Sequence, residues 1–364
     1  MKWFILIIVL FSSIPLSAQN EPRIIWITID GLRWQELYTG ADSLFIRNPQ
    51  FTGNQDELLQ KFWKSEAESR RKALFPFLWE KALKKGVFLG NRNEGNNFSL
   101  TNKVILSYPG YNEILTGFAD DENIINNDKS NNPNRTILEA LNENENFAYK
   151  DKIAVFGSWD VFPYIFNEDR SRLKVNAGYR SSLREEPSEA ELLLDKIQNE
   201  FPRRWSTVRF DTFTHNYALE SLKNDKPLVT FIAYGETDDF AHEGRYDKYL
   251  ESAHRTDKMI EELWAFVQSD PFYKDNTTFI ITTDHGRGEK ETESDTWKHH
   301  GKTIANSDQT WFIAFGRGIK ILGEDVSQKN NYTNQIAKTI ASLLGFEYEP
   351  KSEAGAPLLY ILAN

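Results

Sequence analysis

The chain has 364 residues, a formal net charge of -10 at pH 7 and a sequence pI near 5.3. This acidic balance argues against a protein that binds nucleic-acid duplexes, because such proteins carry a basic surface. The absence of cysteine excludes disulfides, thiol catalysis and zinc sites built from cysteine, so any metal must be held by histidine and carboxylate side chains.

The first 18 residues predict a secretory signal peptide. Lys2 precedes the apolar run Trp3–Phe11, and the segment ends in the small residues Ser17 and Ala18. The run is too short to span a bilayer, although an uncleaved anchor is the alternative. We therefore expect a periplasmic or secreted protein without a stable membrane span after cleavage, whose single catalytic domain covers residues 19–364.

The next part of the chain predicts a strand followed by helices. Residues 23–29 form an apolar run that ends at Asp30 and Gly31. Residues 54–85 carry apolar side chains at near-helical spacing, which predicts two helices that end at Gly86.

Ser107 lies where the sequence predicts a hydroxyl at the start of a helix. Residues 104–106 are apolar and typical of a strand, Pro109 and Gly110 turn the chain, and residues 111–115 can begin a helix. A hydroxyl there would lie among unpaired helix N–H groups, which favour negative charge. Ser107 alone could equally be a helix cap, so its role depends on metal ligands elsewhere.

The middle of the chain predicts a loop at residues 120–135, a helix from Thr136 and a strand at residues 152–157. From residue 158 to residue 225 the alternation of strands and helices weakens, apart from a helix near residues 189–201. We interpret this interval as a small inserted cap over the site. A long surface excursion with its own apolar cluster is the alternative.

Two later apolar runs also precede carboxylates. Residues 228–233 lead to Asp238, and residues 278–283 lead directly to Asp284. Such runs are typical of buried parallel strands, whose carboxyl ends form the ligand-binding edge of open sheets. Helices at residues 246–267 and 334–344 and a strand at residues 311–315 complete the pattern. The sequence therefore predicts an α/β fold with a mainly parallel central sheet flanked by helices.

Histidines near these carboxylates suggest two metal sites. Asp238 and His242 are four residues apart, an interval that places both side chains on one face of a helix. His285 directly follows Asp284, and His300 follows a polar loop. One predicted site contains Asp238, His242 and His300; the other contains Asp30, Asp284, His285 and the Ser107 hydroxyl.

In this order the motifs resemble those of the alkaline phosphatase superfamily of two-metal hydrolases, and most closely those of its nucleotide pyrophosphatase/phosphodiesterase branch. That branch has a strand-terminal Asp and a Thr or Ser nucleophile, with Pro two residues later and Thr-Gly nine and ten residues later. Asp-x-x-Gly-His, Asp-His-Gly and His-Gly elements follow. The matching positions here are Asp30, Ser107, Pro109, Thr116, Gly117, Asp238, His242, Asp284, His285, Gly286, His300 and Gly301.

Two residues differ from the motifs of the branch, and two ligand assignments have a competing neighbour. The nucleophile is Ser where the branch usually has Thr, and Ala241 replaces the Gly before His242. Asp239 competes with Asp238, and His299 competes with His300, although the spacing and Gly301 favour Asp238 and His300.

The resemblance implies two divalent metal ions, with zinc favoured by the family, although histidine and carboxylate ligands also accept manganese or iron. It further implies that metal activates the Ser107 hydroxyl for in-line attack on phosphorus, and that water then releases the phospho-enzyme. Asn127 is the candidate for supporting a phosphoryl oxygen, with Asn126 as a rival one residue away.

The expected substrate is a small phosphate ester. No arginine lies close to Ser107 in the sequence, which favours a diester or pyrophosphate over a monoester dianion. Tyr108, Tyr111 and Trp159 are candidates for contacting a base or a lipid head group, although each could instead belong to the core.

Three rival functions are weaker. In a sulfatase, Arg would stand at Tyr111 and a second Asp at Gly31, and no cysteine is present for conversion to formylglycine. A phosphoglycerate mutase would carry a larger inserted domain. A non-catalytic metal-binding scaffold would lack a ligand or the nucleophile, whereas here each has a candidate. The sequence leaves the natural substrate and the oligomeric state open.

Overall fold

A computed structural model describes residues 21–145, 147–289 and 296–363. The predicted signal peptide lies outside these residues. Within the described ranges, no helix is both long enough and apolar enough to cross a membrane.

The strands fall into a large sheet and a small one. In chain order they are β1 (Arg23–Ile29), β2 (Gly86–Leu89), β3 (Asn97–Ser99), β4 (Ile153–Gly157), β5 (Lys174–Ala177), β6 (Val229–Tyr234), β7 (Thr277–Thr282), β8 (Gln309–Thr310), β9 (Phe312–Gly316), β10 (Gly323–Glu324) and β11 (Asn330–Tyr332).

The α-helices surround the large sheet. They are α1 (Trp34–Thr39), α2 (Ser43–Arg47), α3 (Gln55–Phe62), α4 (Ala67–Leu74), α5 (Ser107–Thr116), α6 (Ile137–Glu143), α7 (Phe162–Ile165), α8 (Glu168–Ser171), α9 (Glu189–Glu200), α10 (Asp211–Asn224), α11 (Glu236–His242), α12 (Tyr246–Ser269) and α13 (Ile336–Leu344). A π-helical turn, Leu78–Ala82, and a 3-10 turn, Leu83–Lys85, follow α4.

The large sheet has eight strands in the order β10-β2-β9-β7-β1-β6-β4-β5. All its neighbouring pairs are parallel except those made by β9, which runs antiparallel to both β7 and β2. The small sheet has the order β11-β3-β8. The expected α/β fold with a mainly parallel central sheet is therefore confirmed.

The central strands are buried on both faces, which explains their continuous apolar sequences. In β1, Ile25 and Ile27 join one hydrophobic core, whereas Ile24 and Trp26 join the other. The first core includes residues of α1–α4, α10 and α12; the second includes residues of α5, α6 and α13. Alternating side chains of the same strand thus anchor helices on opposite sides of the sheet.

One local prediction was wrong, and a second was incomplete. Residues 104–106 do not form a strand, because Ile105 adopts a left-handed backbone with a φ of 53° that interrupts extended structure. Residues 54–85 contain the two expected helices, α3 and α4, but the π-helical and 3-10 turns follow them, and Gly86 both caps the last turn and begins β2.

Part of the interval predicted as a cap, residues 158–225, belongs to the central layers. β5 is the edge strand of the large sheet, and α10 packs against β4 and β6. β5 has only four residues and two of them are polar, so its sequence carries little strand signal.

Candidate active site

Three adjacent strands deliver the predicted carboxylates to one edge of the sheet. β1 lies between β6 and β7, with Ile29 opposite Tyr234 and Thr28 opposite Thr282. Asp30 follows β1, Asp284 follows β7, and Asp238 lies on α11 just beyond β6. Because these strands are parallel and adjacent, the residues that follow them lie together.

The first cluster of possible metal ligands consists of Asp30, Asp284 and His285, all of them buried. His285 Nε2 lies 3.4 Å from Asp30 Oδ1 and 3.4 Å from Asp284 Oδ2. His285 Nδ1 lies 2.9 Å from the Gly286 carbonyl oxygen, which can only accept a hydrogen bond. Nδ1 therefore carries the proton in the neutral ring, and the Nε2 lone pair points at the two carboxylates.

The second cluster consists of Asp238, His242 and His300. His242 Nε2 lies 3.1 Å from His300 Nε2 and 3.2 Å from Asp238 Oδ2. His300 Nδ1 contacts the Ile105 carbonyl oxygen at 3.0 Å, so its Nε2 lone pair also faces the cluster.

The two clusters adjoin. His285 Nε2 is 3.9 Å from Asp238 Oδ1, and the rings of His285 and His300 stack with centroids 3.7 Å apart. This arrangement brings together all six side chains predicted as ligands, including His300 rather than its neighbour His299.

Ser107 borders the first cluster. It is the first residue of α5, a helix in which all ten residues are buried, and its Oγ lies 3.2 Å from His285 Nε2. A Cβ added at Gly110 would approach the Asp284 carbonyl oxygen to 2.3 Å, so the helix packs closely on the segment that carries two ligands. The hydroxyl is thus held at the edge of the carboxylate cluster.

The donor set fits a bound cation. Asp30 Oδ1 and Asp284 Oδ2 are buried and have no hydrogen-bond partner among the described residues. Burial, followed by the charge of Asp238, raises the pKa of Asp284 to about 8, and burial followed by the charge of Asp284 raises the pKa of Asp30 well above its usual range. Unpaired buried carboxylates are costly unless a proton or a cation neutralises them.

His285 and His300 also fit metal binding, because burial favours their neutral forms. Burial is the largest cause lowering the pKa of His300 to about 4, and burial followed by the neighbouring His300 lowers the pKa of His285 well below its usual range. A metal ligand must present an unprotonated nitrogen, so this environment suits coordination.

Asn127 lies next to Ser107. Its Oδ1 accepts a hydrogen bond from the Tyr108 backbone N–H at 3.0 Å. Asn126 is exposed, and its Nδ2 donates to Asp128 at 2.6 Å. Of the two asparagines that the sequence left open, Asn127 is therefore the one in contact with the Ser107 turn.

Two of the three aromatic residues proposed to contact substrate are not available for stacking. Tyr111 is fully buried, and its hydroxyl donates to Asp30 Oδ2 at 3.3 Å. Tyr108 is also buried, with its hydroxyl 2.7 Å from the Ser130 carbonyl oxygen. Their assignment was wrong because aromatic side chains on a buried helix pack inward. Trp159 is only partly buried, and its substrate contact stays a prediction.

Arg287, which was not predicted from the sequence, connects the second cluster to the segment before His300. Its buried guanidinium donates from Nη1 to Asp238, from Nη2 to the Lys298 carbonyl and from Nε to the Trp297 carbonyl at 2.9 Å. Its position two residues after His285 was the only available signal. A Cβ at Gly31, where φ is +59°, would lie 2.7 Å from both Arg287 Nη1 and Asp238 Oδ1.

Asp211 also went unrecognised, because it lies far from the motifs in sequence. It is buried at the start of α10 and accepts hydrogen bonds from the backbone N–H groups of Gly235 and Glu236 at 2.7 and 3.1 Å. The Ser158 hydroxyl donates to it at 2.6 Å. Asp211 thereby fixes the turn between β6 and α11 that presents Asp238.

Sequence comparison with known proteins finds a match to one family model and several distant relatives. Residues 211–348 match the family model described as the metalloenzyme superfamily. Among curated proteins, GPI ethanolamine phosphate transferase 1 of Neurospora crassa is 24% identical over 379 residues, which cover 96% of this chain. This chain spans about a third, 33%, of that relative's length.

Solved structures share the fold. Wild-type alkaline phosphatase PafA superposes with a TM-score of 0.61 at 11% identity, covering 94% of this chain and 99% of the other. The lipoteichoic acid synthase LtaP from Listeria monocytogenes gives a TM-score of 0.57 at 14% identity, covering 91% of this chain and 73% of the other. A sulfatase is also among the structural neighbours.

These comparisons do not specifically support the nucleotide pyrophosphatase/phosphodiesterase branch, since the curated relatives carry the name of a transferase. The comparisons therefore show a match to the metalloenzyme superfamily model over residues 211–348 and a fold shared with an alkaline phosphatase.

Proposed function

We propose that this chain is an exported, metal-dependent enzyme that cleaves phosphate esters, with diesters or pyrophosphates preferred, by passing the phosphoryl group through Ser107. The observation that carries the proposal is the position of Ser107 Oγ, 3.2 Å from His285 Nε2 at the border of the first carboxylate cluster. A lone helix-capping serine has no reason to face a cluster of unpaired buried carboxylates.

Two sets of side chains would hold the metals: Asp30, Asp284, His285 and Ser107 in one site, and Asp238, His242 and His300 in the other. Two bound divalent cations would lower the pKa of the serine hydroxyl and neutralise charge that develops on the attacking and leaving oxygens. Zinc is the proposed metal on the strength of the motif resemblance, and export is proposed from the signal sequence.

The protein's own residues supply the nucleophile and its orientation. Ser107 Oγ forms the new bond to phosphorus while the bond from phosphorus to the leaving oxygen breaks, and water then attacks the phosphoserine and regenerates the hydroxyl. The Tyr108 N–H fixes Asn127 Oδ1, and Asn127 Nδ2, which donates to none of the described residues, would donate to a phosphoryl oxygen.

The electrostatics favour a substrate with a single negative charge on the reacting phosphorus. The Arg287 guanidinium is committed to Asp238 and to the carbonyls of Trp297 and Lys298. It is therefore not free to bind a monoester dianion. A phosphomonoesterase is the alternative within the same chemistry.

A second candidate is transfer of the phosphoryl group to an alcohol rather than to water. It is favoured by the curated relative named as a phosphate transferase, which aligns with 96% of this chain. The first step would be identical, and an acceptor hydroxyl would replace water in the second.

The test is hydrolysis of p-nitrophenyl phosphate, bis-p-nitrophenyl phosphate and a nitrophenyl nucleotide by protein lacking residues 1–18. Each assay is run as purified, after chelation and after zinc is restored, with Ser107→Ala as the control. Cleavage that is lost on chelation, regained with zinc and strongest for the diesters supports the proposal.

Other outcomes separate the alternatives. Preference for the monoester identifies a phosphatase. If added glycerol is recovered as glycerol phosphate from the monoester, or as a mixed glycerol diester from the diesters, while nitrophenol release is sustained, transfer is the second step. Failure of the metal-loaded protein to cleave any of the three substrates contradicts the proposed enzyme and favours a metal-binding scaffold.

A further inference from the structure

A cavity of about 400 Å³ lies between the edge of the large sheet and the helices α9 and α10, away from the candidate active site. Its floor includes Ala154 and Phe156 of β4 and Asn176 of β5, and its wall includes Tyr217 of α10. The metal clusters follow the carboxyl ends of the strands, whereas this cavity extends to Lys152, just before β4 begins. A separate ligand could therefore occupy it without displacing the metals.

The mouth of this cavity carries cations without carboxylate partners. Lys152, Arg172 and Lys174 are exposed lining residues, and within the described part of the chain none of them forms an ion pair with a carboxylate. β4 and β5 are parallel with Ala154 opposite Lys174, so these side chains belong to neighbouring positions of the sheet edge. Their clustering is notable because the whole chain has a net charge of -10.

The acidic residues of the lining are mostly neutralised. Arg184 forms ion pairs with Asp225 and, at 3.3 Å, with Glu191. Asp151 is the remaining lining carboxylate and is exposed. The three unpaired cations therefore outnumber the unpaired anion, and the mouth attracts a ligand with more than one negative charge.

The interior of the cavity adds a polar anchor. Asn176 is only 3% exposed, and its Nδ2 donates to the Ser181 carbonyl oxygen at 2.7 Å. Its Oδ1 is buried without a hydrogen-bond partner among the described residues. A buried amide oxygen of this kind is satisfied by an N–H or O–H donor that reaches into the cavity.

The remaining lining is suited to a planar or apolar body. Phe156, Leu173, Leu183 and Tyr217 contribute apolar surface between the cationic mouth and Asn176. A volume of 400 Å³ is within the range of small-ligand pockets.

We propose that this cavity binds a small organic phosphate monoester, with the phosphate at Lys152, Arg172 and Lys174 and a ring that bears a donor directed to Asn176 Oδ1. The three features of the cavity correspond to three parts of one ligand: a dianionic group, an apolar body and a hydrogen-bond donor. The site is distinct from the metal clusters and does not depend on the proposed function.

AMP is the probe, because it combines a phosphate dianion, a planar ring and N–H donors. Calorimetric titration uses metal-loaded Ser107→Ala protein, which prevents turnover, and is repeated after chelation. We expect a saturable binding event that persists without metal. Lys174→Glu should weaken this event at least about tenfold, because an attractive charge becomes repulsive. Lys84→Glu, the same change at an exposed lysine outside the cavity, should leave it unchanged.

Two further measurements complete the test. Ala154→Leu fills the floor of the cavity and should abolish the same event, while thermal unfolding checks that each variant is folded. Inorganic phosphate should bind at least about tenfold more weakly than AMP, because it cannot reach Asn176. The proposal is overturned if no AMP binding survives chelation, if folded Lys174→Glu and Ala154→Leu proteins bind AMP as the parent does, or if phosphate binds as tightly as AMP.

Discussion

At the scale of single residues, Ser107 gives the sharpest prediction. If its hydroxyl is the nucleophile, Ser107→Ala should lower the rate of phosphate-ester cleavage by at least about 10³-fold. Metal content should be unchanged, since the six candidate histidine and carboxylate ligands remain. The measurements are steady-state hydrolysis and elemental analysis of the same preparation.

The matched control is Ser342→Ala, an exposed serine of α13 whose loss should not change the rate. Ser107→Thr keeps a hydroxyl and should retain measurable activity. Undiminished cleavage by Ser107→Ala protein would show that another group attacks phosphorus.

Tyr111 gives a second prediction at this scale. Burial, followed by the charge of Asp30, raises the pKa of Tyr111 well above its usual range, so the hydroxyl stays protonated and donates to Asp30. Tyr111→Phe removes that donor and the 3.4 Å contact from Thr28 Oγ1, and it keeps the aromatic ring. Hydrogen bonds to ligating carboxylates commonly change metal affinity 10- to 100-fold, so we expect about a tenfold weaker zinc affinity, measured by competition with a chelating dye.

Tyr108→Phe is the control for this change, because it removes a buried hydroxyl from the same helix that contacts Ser130 and Tyr164 rather than a ligand. Its zinc affinity should equal that of the parent protein. Equal affinities in all three proteins would mean that Tyr111 only fills the core.

At the scale of secondary-structure elements, Asp257 of α12 gives a pH prediction. Its carboxylate accepts hydrogen bonds from the backbone N–H groups of Phe77 and Leu78, at 2.8 and 2.9 Å, and so connects α12 to the turn after α4. Burial raises the pKa of Asp257 to about 7 from an unperturbed value of 3.8. The folded state therefore favours the protonated form.

The direction of the pH dependence follows from the difference between the folded and unfolded pKa values of Asp257. The proton on Asp257 stabilises the folded state fully below about pH 4, and this stabilisation is lost as the pH rises through about 7. Between pH 4 and pH 8 the free energy of unfolding of the parent should fall relative to Asp257→Asn by up to about 4 kcal/mol. Urea unfolding across this pH range measures the change in the free energy of unfolding.

Asp56→Asn, which changes an exposed carboxylate on α3, is the control: its free energy of unfolding should change with pH as that of the parent does. A constant difference between the parent and Asp257→Asn would contradict the prediction.

The elements themselves could be predicted only where the sequence signal was strong. β1, β6 and β7 were found because buried parallel strands are continuous apolar runs, and α12 because its apolar face repeats over 24 residues. β5 was missed because it is short and partly polar. The strand predicted at residues 104–106 failed because local apolar composition does not reveal the left-handed backbone of Ile105.

At the scale of the whole molecule, the convergence of the ligands was predictable because strand-end carboxylates of parallel neighbours must share one edge. The contributions of Arg287 and Asp211 were not, because each depends on contacts between segments that are distant in sequence. The same is true of the buried state of Tyr111, which only the packing of α5 between the sheet and its neighbours decides. The local sequence pattern therefore located the candidate ligands, whereas tertiary packing determined which residues support them.

Removing the metal tests whether metal binding stabilises the folded chain. In metal-free protein the buried carboxylates of the first cluster must either hold protons or remain unpaired, and burial raises the pKa of Asp284 to about 8. The chain has no cysteine and only six histidines, so the unfolded state binds metal weakly. Metal should consequently stabilise the folded state almost without competition, by about 2.7 kcal/mol per site when free zinc is 100 times Kd.

We therefore expect the melting temperature at pH 8 to fall on chelation and to rise steadily with free zinc concentration once zinc is restored. Asp284→Asn should reduce this dependence, because it removes one ligand of the first cluster. Asp257→Asn, which removes a buried carboxylate outside both clusters, should keep it in full. A melting temperature independent of zinc in the parent protein would contradict both metal sites. A dependence that survives in Asp284→Asn but disappears in His300→Ala would place the stabilising metal in the second cluster alone, because His300 belongs only to that cluster.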